Sequence, residues 1–440
     1  MINLFWHFKK HSALVAEALA AYRDSQYAKA WKIARWGLCR YPDDEMFLLI
    51  LGNICFVEQN YSDAVKYYRQ IQQRSPHNLE AVQNLGEALL RQKKYTDAAV
   101  VAEQIDDENI ALLLRAKIAF EQENYSDAES GFVQYLQHCP NDFWTFNLLS
   151  QASQKNGHYE QALDSAWQAV ELSHGQDSQH LNLAYALYEI ALEKGADFVL
   201  PYLKKWHQKY ADSSIVQQSW HAFFPTADFT KADADYVRLV FDNFADSFDD
   251  TLAGLNYAAP QKIAAEIASV WRSRLSVSPR ILDLGCGTGL CAEQLQRLYP
   301  KAQILGVDLS EQMLQKAAAK KLYAKLICAD IIQFLQTSKN KFDLIVAADV
   351  FTYFGALDNV VKLCFSALKK NGILIFSATQ NSNHQNDWRQ HLSGRFLHSQ
   401  NYLNCVLKKA GFHAPIFTDC VLRKEAEKDV CGWVVSAIKK

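Results

Sequence analysis

Ile281-Leu282-Asp283-Leu284-Gly285-Cys286-Gly287-Thr288-Gly289 is an apolar run that ends in an acid and then in three glycines at alternate positions. A helical pattern follows from Leu290 to Leu298. The next apolar run, Ile304-Leu305-Gly306-Val307, ends in Asp308, nineteen residues after Gly289. This is the layout of a βαβ unit that holds a nucleoside. Glycines let the backbone turn sharply and approach a ligand closely. The acid closing the second strand can accept hydrogen bonds from both ribose hydroxyls.

The glycine spacing selects among ligands. A dinucleotide fingerprint, G-x-G-x-x-G/A, requires a small residue where Leu290 stands, and no G-x-x-x-x-G-K-[ST] follows to cradle a phosphate. The remaining pattern, D-x-G-x-G-x-G, resembles motif I of the class I S-adenosylmethionine-dependent methyltransferases. The resemblance implies a Rossmann-like, mostly parallel seven-stranded sheet with a terminal antiparallel hairpin. The bland alternative is a nucleotide-type fold that holds no ligand.

The downstream pattern supplies the other strands. Lys325–Asp330 and Phe342–Val350 read as the third and fourth, the latter nearly continuously apolar, as a strand covered on both faces requires. Gly372–Ser377 reads as the fifth, and Ile416–Leu422 with Trp433–Ile438 as a closing hairpin around a polar turn at Lys424–Lys428. Ser310 is a candidate cap for a helix reaching Lys320. Gly285, Asp308, Asp330 and Asp349 all fall at strand carboxyl ends, where ligands of such sheets bind.

Family resemblance then assigns roles. Gly285, Gly287 and Gly289 line the methionine part, with Cys286 in their loop and Asp283 near the amino group. Asp308, with Leu309 beside it, holds the ribose. Asp330 bonds the adenine amino group and Ile331 packs on the ring. Asp349 contacts the methionine moiety or orients the acceptor. A general base is needed mainly for a hydroxyl or a protonated amine; Asp349, Tyr353 and His398 are the candidates. Leu392–Ser399 resembles a Gly-Arg-aromatic-x-His stretch of a bacterial family that joins tetratricopeptide repeats to a methyltransferase. It puts Arg395 and His398 on the acceptor side, unless His398 merely sits near a helix start. The Asn/Asp-Pro-Pro-Tyr motif of amide and adenine-amino methylases is absent after the fourth strand, where Ala347-Ala348-Asp349-Val350-Phe351 stands. Nothing in the sequence has the spacing of a metal cluster.

The N-terminal half repeats. Tyr27, Tyr61 and Tyr95 are spaced by 34 residues, as are Tyr125 and Tyr159, while Tyr95 to Tyr125 is four shorter. An alanine follows each tyrosine three positions on, at Ala30, Ala64, Ala98, Ala128 and Ala162, and a small residue precedes each alanine by twelve, at Ala18, Gly52, Gly86, Ala116 and Ser150. Pro42, Pro76 and Pro140 close three units. This resembles the tetratricopeptide repeat, a helix–turn–helix whose stack leaves a groove for a protein or peptide partner. A structural or dimerising arm is the alternative.

These readings divide the chain into a repeat solenoid at 1–224 (five repeats over about 11–175, then capping helices at 178–224), a linker with lid helices at 225–270, and an S-adenosylmethionine-binding domain at 271–440. The capping pair is read as Leu181–Leu192 and Phe198–Tyr210. In the junction, Phe241, Phe244, Phe248 and Leu252 share one helical face before Tyr257 and Pro260. The segment resembles the F-D-x-x-A-x-x-F-D stretch preceding the core in the same bacterial family. It places Phe244, Phe248 or Tyr257 against cofactor or acceptor; core packing is the alternative.

Composition is that of an ordinary globular chain, 49% hydrophobic and 21% charged, with net charge −2. No strongly basic balance calls for nucleic acid. The start shows no ordered signal peptide, and no apolar run reaches the roughly 20 residues of a membrane span. Ten scattered cysteines without a C-x-x-C pair fit reduced thiols and a cytoplasmic setting. The leading expectation is a methyltransferase acting on a protein captured by the repeats. A small-molecule or glycan-precursor methyltransferase, and a scaffold that binds cofactor without turnover, are the alternatives.

Overall fold

The computed structural model describes residues 10–339, 341–381, 387–425 and 428–440. The N-terminal start read for a targeting signal, and the centre of the expected polar turn at 424–428, lie outside the described residues. The chain divides into two compact units after Gly175.

The first unit is a run of helix pairs: α1 (His11–Arg23) and α2 (Tyr27–Arg40), α3 (Glu45–Val57) and α4 (Tyr61–Arg74), α5 (Leu79–Arg91) and α6 (Tyr95–Glu103), α7 (Glu108–Glu121) and α8 (Tyr125–His138), α9 (Phe143–Lys155) and α10 (Tyr159–Leu172). Each repeat tyrosine is the first residue of the second helix of its pair. Two residues before it the chain turns through the left-handed region, at Ser25, Gln59, Lys93, Glu123 and Gly157. The turn geometry therefore repeats with the sequence period, although glycine serves it only once. The short interval before Tyr125 falls on α6, which has 9 residues where its counterparts have 14. The small positions are buried, but the contact differs from simple helix-on-helix approach. A Cβ on Gly52 would lie 2.5 Å from the Tyr68 ring, and one on Gly86 2.5 Å from Leu114. The missing side chains make room for a large neighbour.

The second unit begins with α11 (Asp177–Lys194), α12 (Ala196–Lys209) and α13 (Ser214–Phe223). The sequence assigned this region to the repeat cap and expected two helices there. By contact, all three group with the second unit. Gln218 of α13 donates to the Gly394 carbonyl at 2.6 Å, and Tyr188 of α11 meets the His391 ring edge-on at 6.1 Å. Next come α14 (Ala234–Phe244), α15 (Phe248–Gly254) and α16 (Ala259–Glu266). The continuous aromatic face expected through Leu252 is thus broken at 245–247.

The sheet is built from β1 (Arg280–Leu284), β2 (Gln303–Asp308), β3 (Lys325–Cys328), β4 (Phe342–Ala347) and β5 (Leu368–Thr379), with α17 (Leu290–Leu298), α18 (Glu311–Ala319), α19 (Ile331–Thr337) and α20 (Asp358–Ala367) as connections. A small hairpin, β6 (Trp388–Gln390) and β7 (Phe396–His398), leads to α21 (Gln400–Ala410). Then β8 (Phe412–Glu425) and β9 (Lys428–Lys439) close the sheet. Among the described residues the order is β3-β2-β1-β4-β5-β9-β8, parallel from β3 to β5 and antiparallel at β9 and β8. Apolar clusters fill both faces, which is why β4 is apolar at every position but Asp343 and β1 carries Ile281, Leu282 and Leu284. The closing strands are longer than their apolar cores suggested, because the hairpin continues pairing through polar residues to Glu425 and Lys428. Among the described residues no helix is long and apolar enough to cross a membrane.

Candidate functional site

The loop after β1 needs its glycines. Gly285, Gly287 and Gly289 have φ of +60°, +53° and +95°, and a Cβ on Gly285 would sit 2.5 Å from Val350 Cγ2. The loop is fixed from the end of β2. The Gly287 N–H donates to Asp308 Oδ2 at 2.8 Å and the Ser310 N–H to Oδ1 at 2.9 Å. Burial nonetheless dominates at Asp308 and lifts its carboxyl above the ordinary range. Asp283 lies beneath the loop, 1% exposed, and takes a 2.8 Å hydrogen bond from the Tyr323 hydroxyl. Burial, with the Asp308 charge added, pushes it up to about 7.

Above the carboxyl ends of the strands lies a cleft of about 910 Å³. Its floor is Gly285, Gly287, Asp308, Leu309, Asp330, Ile331 and Asp349; its roof is Val237 and Phe241 of α14, Phe248 and Leu252 of α15, and Tyr257. The roof is apolar inward and acidic outward. Asp242 accepts from the Ser310 hydroxyl and Asp249 from Thr288. Asp246 pairs with Lys316 at 2.7 Å and Asp249 with Lys320 at 2.9 Å. One edge is stitched by backbone bonds between 230–232 and 353–356. There Lys231 reaches Asp330 at 2.8 Å over the Phe354 ring. Burial works against the Asp330 charge, but Lys231 and two helix-capping N–H bonds outweigh it and hold the carboxyl below its usual range.

The opposite end carries a charge network. Asp349, in the left-handed region at φ +59°, is held by its N–H to Ser377 Oγ at 2.8 Å. Arg423, 3% exposed, bonds Asp349 Oδ2 at 2.9 Å and Glu425 Oε1 at 2.8 Å. Glu425 also accepts from Arg395 at 2.7 Å, and Arg395 hydrogen-bonds the Tyr353 hydroxyl. Two guanidinium groups and two carboxylates balance in charge. Burial opposes ionisation of Glu425, yet the two arginines pull it below the usual range.

The structure brings ten sequence-predicted residues to this cleft: Gly285, Gly287, Asp308, Leu309, Asp330, Ile331, Asp349, Tyr353, Tyr257 and Arg395. Four lie outside its lining. Asp283 supports the loop from below. Cys286 is turned inward, its N–H donating to the Val307 carbonyl at 3.1 Å. Gly289 serves as the left-handed cap of α17. His398 is fully buried, bonds the Phe354 and Gly355 carbonyls through Nε2 at 2.8 and 3.2 Å, and is pushed down to about 4 by burial. It is a neutral brace for the turn carrying Tyr353. Of the aromatic row, Phe248 and Tyr257 line the cleft, while Phe244 does not. Sequence reasoning missed Lys231, Arg423 and Glu425. The signal for Arg423 was a charge following the apolar Val421-Leu422 in a strand; Lys231 carried none.

Two models of the tetratricopeptide repeat match residues 15–78 and 58–118, and a model described as a methyltransferase domain matches 275–413. The chain joins tetratricopeptide repeats to a methyltransferase domain. A malonyl-[acyl-carrier protein] O-methyltransferase of Legionella pneumophila is 37% identical over 28% of this chain and 45% of its own length. A trans-aconitate 2-methyltransferase of Paracidovorax citrulli is 31% identical over 25% and 42%. The chain thus spans about half the length of the curated relatives it matches. Among solved structures, an S-adenosylmethionine-dependent methyltransferase of Thermotoga maritima is similar at 18% identity and a TM-score of 0.34, covering 46% of this chain and 99% of that one.

Proposed function

We propose that the second unit is a class I methyltransferase that uses S-adenosylmethionine to esterify a carboxylate. The observation that carries the acceptor class is Arg395, a guanidinium in the wall of the cleft, across from the glycine loop and beside Tyr353. Its bonds to Glu425 and Tyr353 use part of a five-donor fork that matches a carboxylate. Two relatives are named for malonyl-[acyl-carrier protein] and trans-aconitate, acceptors that carry free carboxylates.

The residues fit the cofactor. A Cβ on Gly287 would lie 3.8 Å from Phe248, so the missing side chain leaves a slot between loop and roof. Asp308 at the slot's edge offers lone pairs to the ribose hydroxyls, Asp330 and Ile331 border the adenine position, and Asp349 the methionine position. S-adenosylmethionine supplies a methyl group on a sulfonium; its transfer to a carboxylate oxygen makes an O–C bond, breaks the C–S bond with the electron pair left on sulfur, and moves no proton. The protein therefore needs alignment rather than a base. Arg395 fixes the acceptor, the Asp349–Arg423–Glu425 chain fixes Arg395, and the apolar roof keeps water from screening these pairs. His398 has no part in the transfer.

The repeats favour a second reading, in which the acceptor is a protein captured in their groove. Incubation of the whole protein with methyl-tritiated S-adenosylmethionine and a cell extract split into small-molecule and protein fractions separates the two. Label that mild base releases, on small acids or on an acid held by a carrier protein, and that is lost in Asp308→Ala, supports the first reading; base-stable label confined to protein bands overturns it.

A further inference from the structure

A second cleft of about 1370 Å³ adjoins the first and shares Phe241, Phe248, Leu252, Tyr353 and Arg395 with it. One wall is α11, the other α14 with Tyr236 and Val240. Helix α11 is apolar on two sides. Leu183, Leu187 and Ile190 are buried. Leu181, Tyr185, Tyr188 and Leu192 follow the helical period along another face and line this cleft. Tyr185 and Leu192 are left 45% and 46% exposed there. Large apolar side chains uncovered in a groove mark a binding surface. Charge and position specify the occupant. The groove is predominantly apolar, with Glu189, Gln218, Ser219, Thr251, Ser393 and Glu425 as polar interruptions, and Arg395 marks its junction with the methyl-transfer cleft.

Resting on the carboxylate reading above, we infer that the second cleft holds the body of the acceptor, an extended aliphatic chain whose terminal carboxylate reaches Arg395, and that α11 sets its length. The helix that the sequence placed with the repeats is then the specificity wall of the methyltransferase.

The test is calorimetric titration of the full chain, saturated with S-adenosylhomocysteine, with hexanoate, octanoate and decanoate below their micellar concentrations, and with 1-decanol as the uncharged probe. Affinity rises about threefold to fourfold per methylene, and decanoate binds better than decanol. In Leu192→Glu and Tyr185→Glu, half-exposed positions that tolerate substitution, the dependence on chain length disappears while S-adenosylhomocysteine binds as before. Arg395→Gln abolishes the preference for decanoate over decanol, and Arg395→Lys restores part of it. Equal affinity across the series, or a Leu192→Glu protein with the wild-type series, overturns the inference. Failure of S-adenosylhomocysteine itself to bind overturns the methyltransferase reading instead.

Discussion

The two units differ in how deeply they bury an arginine. In the repeats the arginines sit outside: the buried Glu129 rests on a histidine, His158, while Arg74–Asp43 and Arg115–Glu108 join side chains that are all more than 40% exposed. Such pairs contribute little. Stability there comes from a periodic apolar interior. In the second unit, Arg423 is buried between two carboxylates, and the same kind of contact becomes a structural commitment, because a desolvated charge stripped of its partner is costly. The methyltransferase unit holds a costly polar network in the wall of its cleft.

The sharpest way to break this comparison is to remove an arginine from each unit. Arg423→Met leaves Asp349 and Glu425 without their shared partner and is expected to cost about 3–5 kcal/mol. Arg74→Met is expected to cost less than about 1 kcal/mol. Denaturant unfolding of the whole chain checks both, and equal losses would dissolve the contrast.

Asp283 sharpens it through pH. Its folded value, about 7, lies above the unfolded one, so the folded state keeps the proton longer. As pH rises from about 4 to about 7 the unfolded chain ionises first, and stability falls. Asp283→Asn removes that loss. The variant is expected to be more stable at pH 8, by at most about 4 kcal/mol, and to show no gain at pH 4. Parallel melting profiles across this range would show that burial does not govern Asp283.

In the repeats the expected penalties are steric. Gly52→Ala presses a methyl into the fully buried Tyr68 ring and is expected to cost about 1–3 kcal/mol. Gly86→Ala meets the end of a leucine side chain and costs less. Smallest is Gly157→Ala in the left-handed turn, about 1 kcal/mol. Thermal melts rank these three, and a Gly86→Ala loss above that of Gly52→Ala would show that the ring is not the constraint.

The same contrast explains what the sequence revealed. Repeat contacts recur with the period, so Tyr27, Tyr61, Tyr95, Tyr125 and Tyr159 announced every second helix. Strand positions were legible from apolar runs that stop at an acid, but only β2 ends there, at Asp308; β3 and β4 stop two residues short, at Cys328 and Ala347, because Asp330 caps the next helix and Asp349 turns through the left-handed region. The charge network was not legible. Lys231 meets Asp330, and Arg423 meets Asp349, across long separations that no local pattern encodes. The sequence left His398 between the acceptor side and a place near a helix start, because its burial and its bonds to the Phe354 and Gly355 carbonyls are set by distant residues. Helices α11–α13, read as the repeat cap, group by contact with the second unit; their apolar periodicity says that they pack, not against which partner.

The most direct test of the account is the chemical lability of the transferred methyl. Products made by the whole protein from methyl-tritiated S-adenosylmethionine and the small-molecule fraction are treated with mild base, and the volatile label is counted. Carboxylate esterification predicts that most of the label is released as methanol and that Arg395→Gln lowers the yield at least tenfold. Label that survives base, as on nitrogen or carbon, would contradict it.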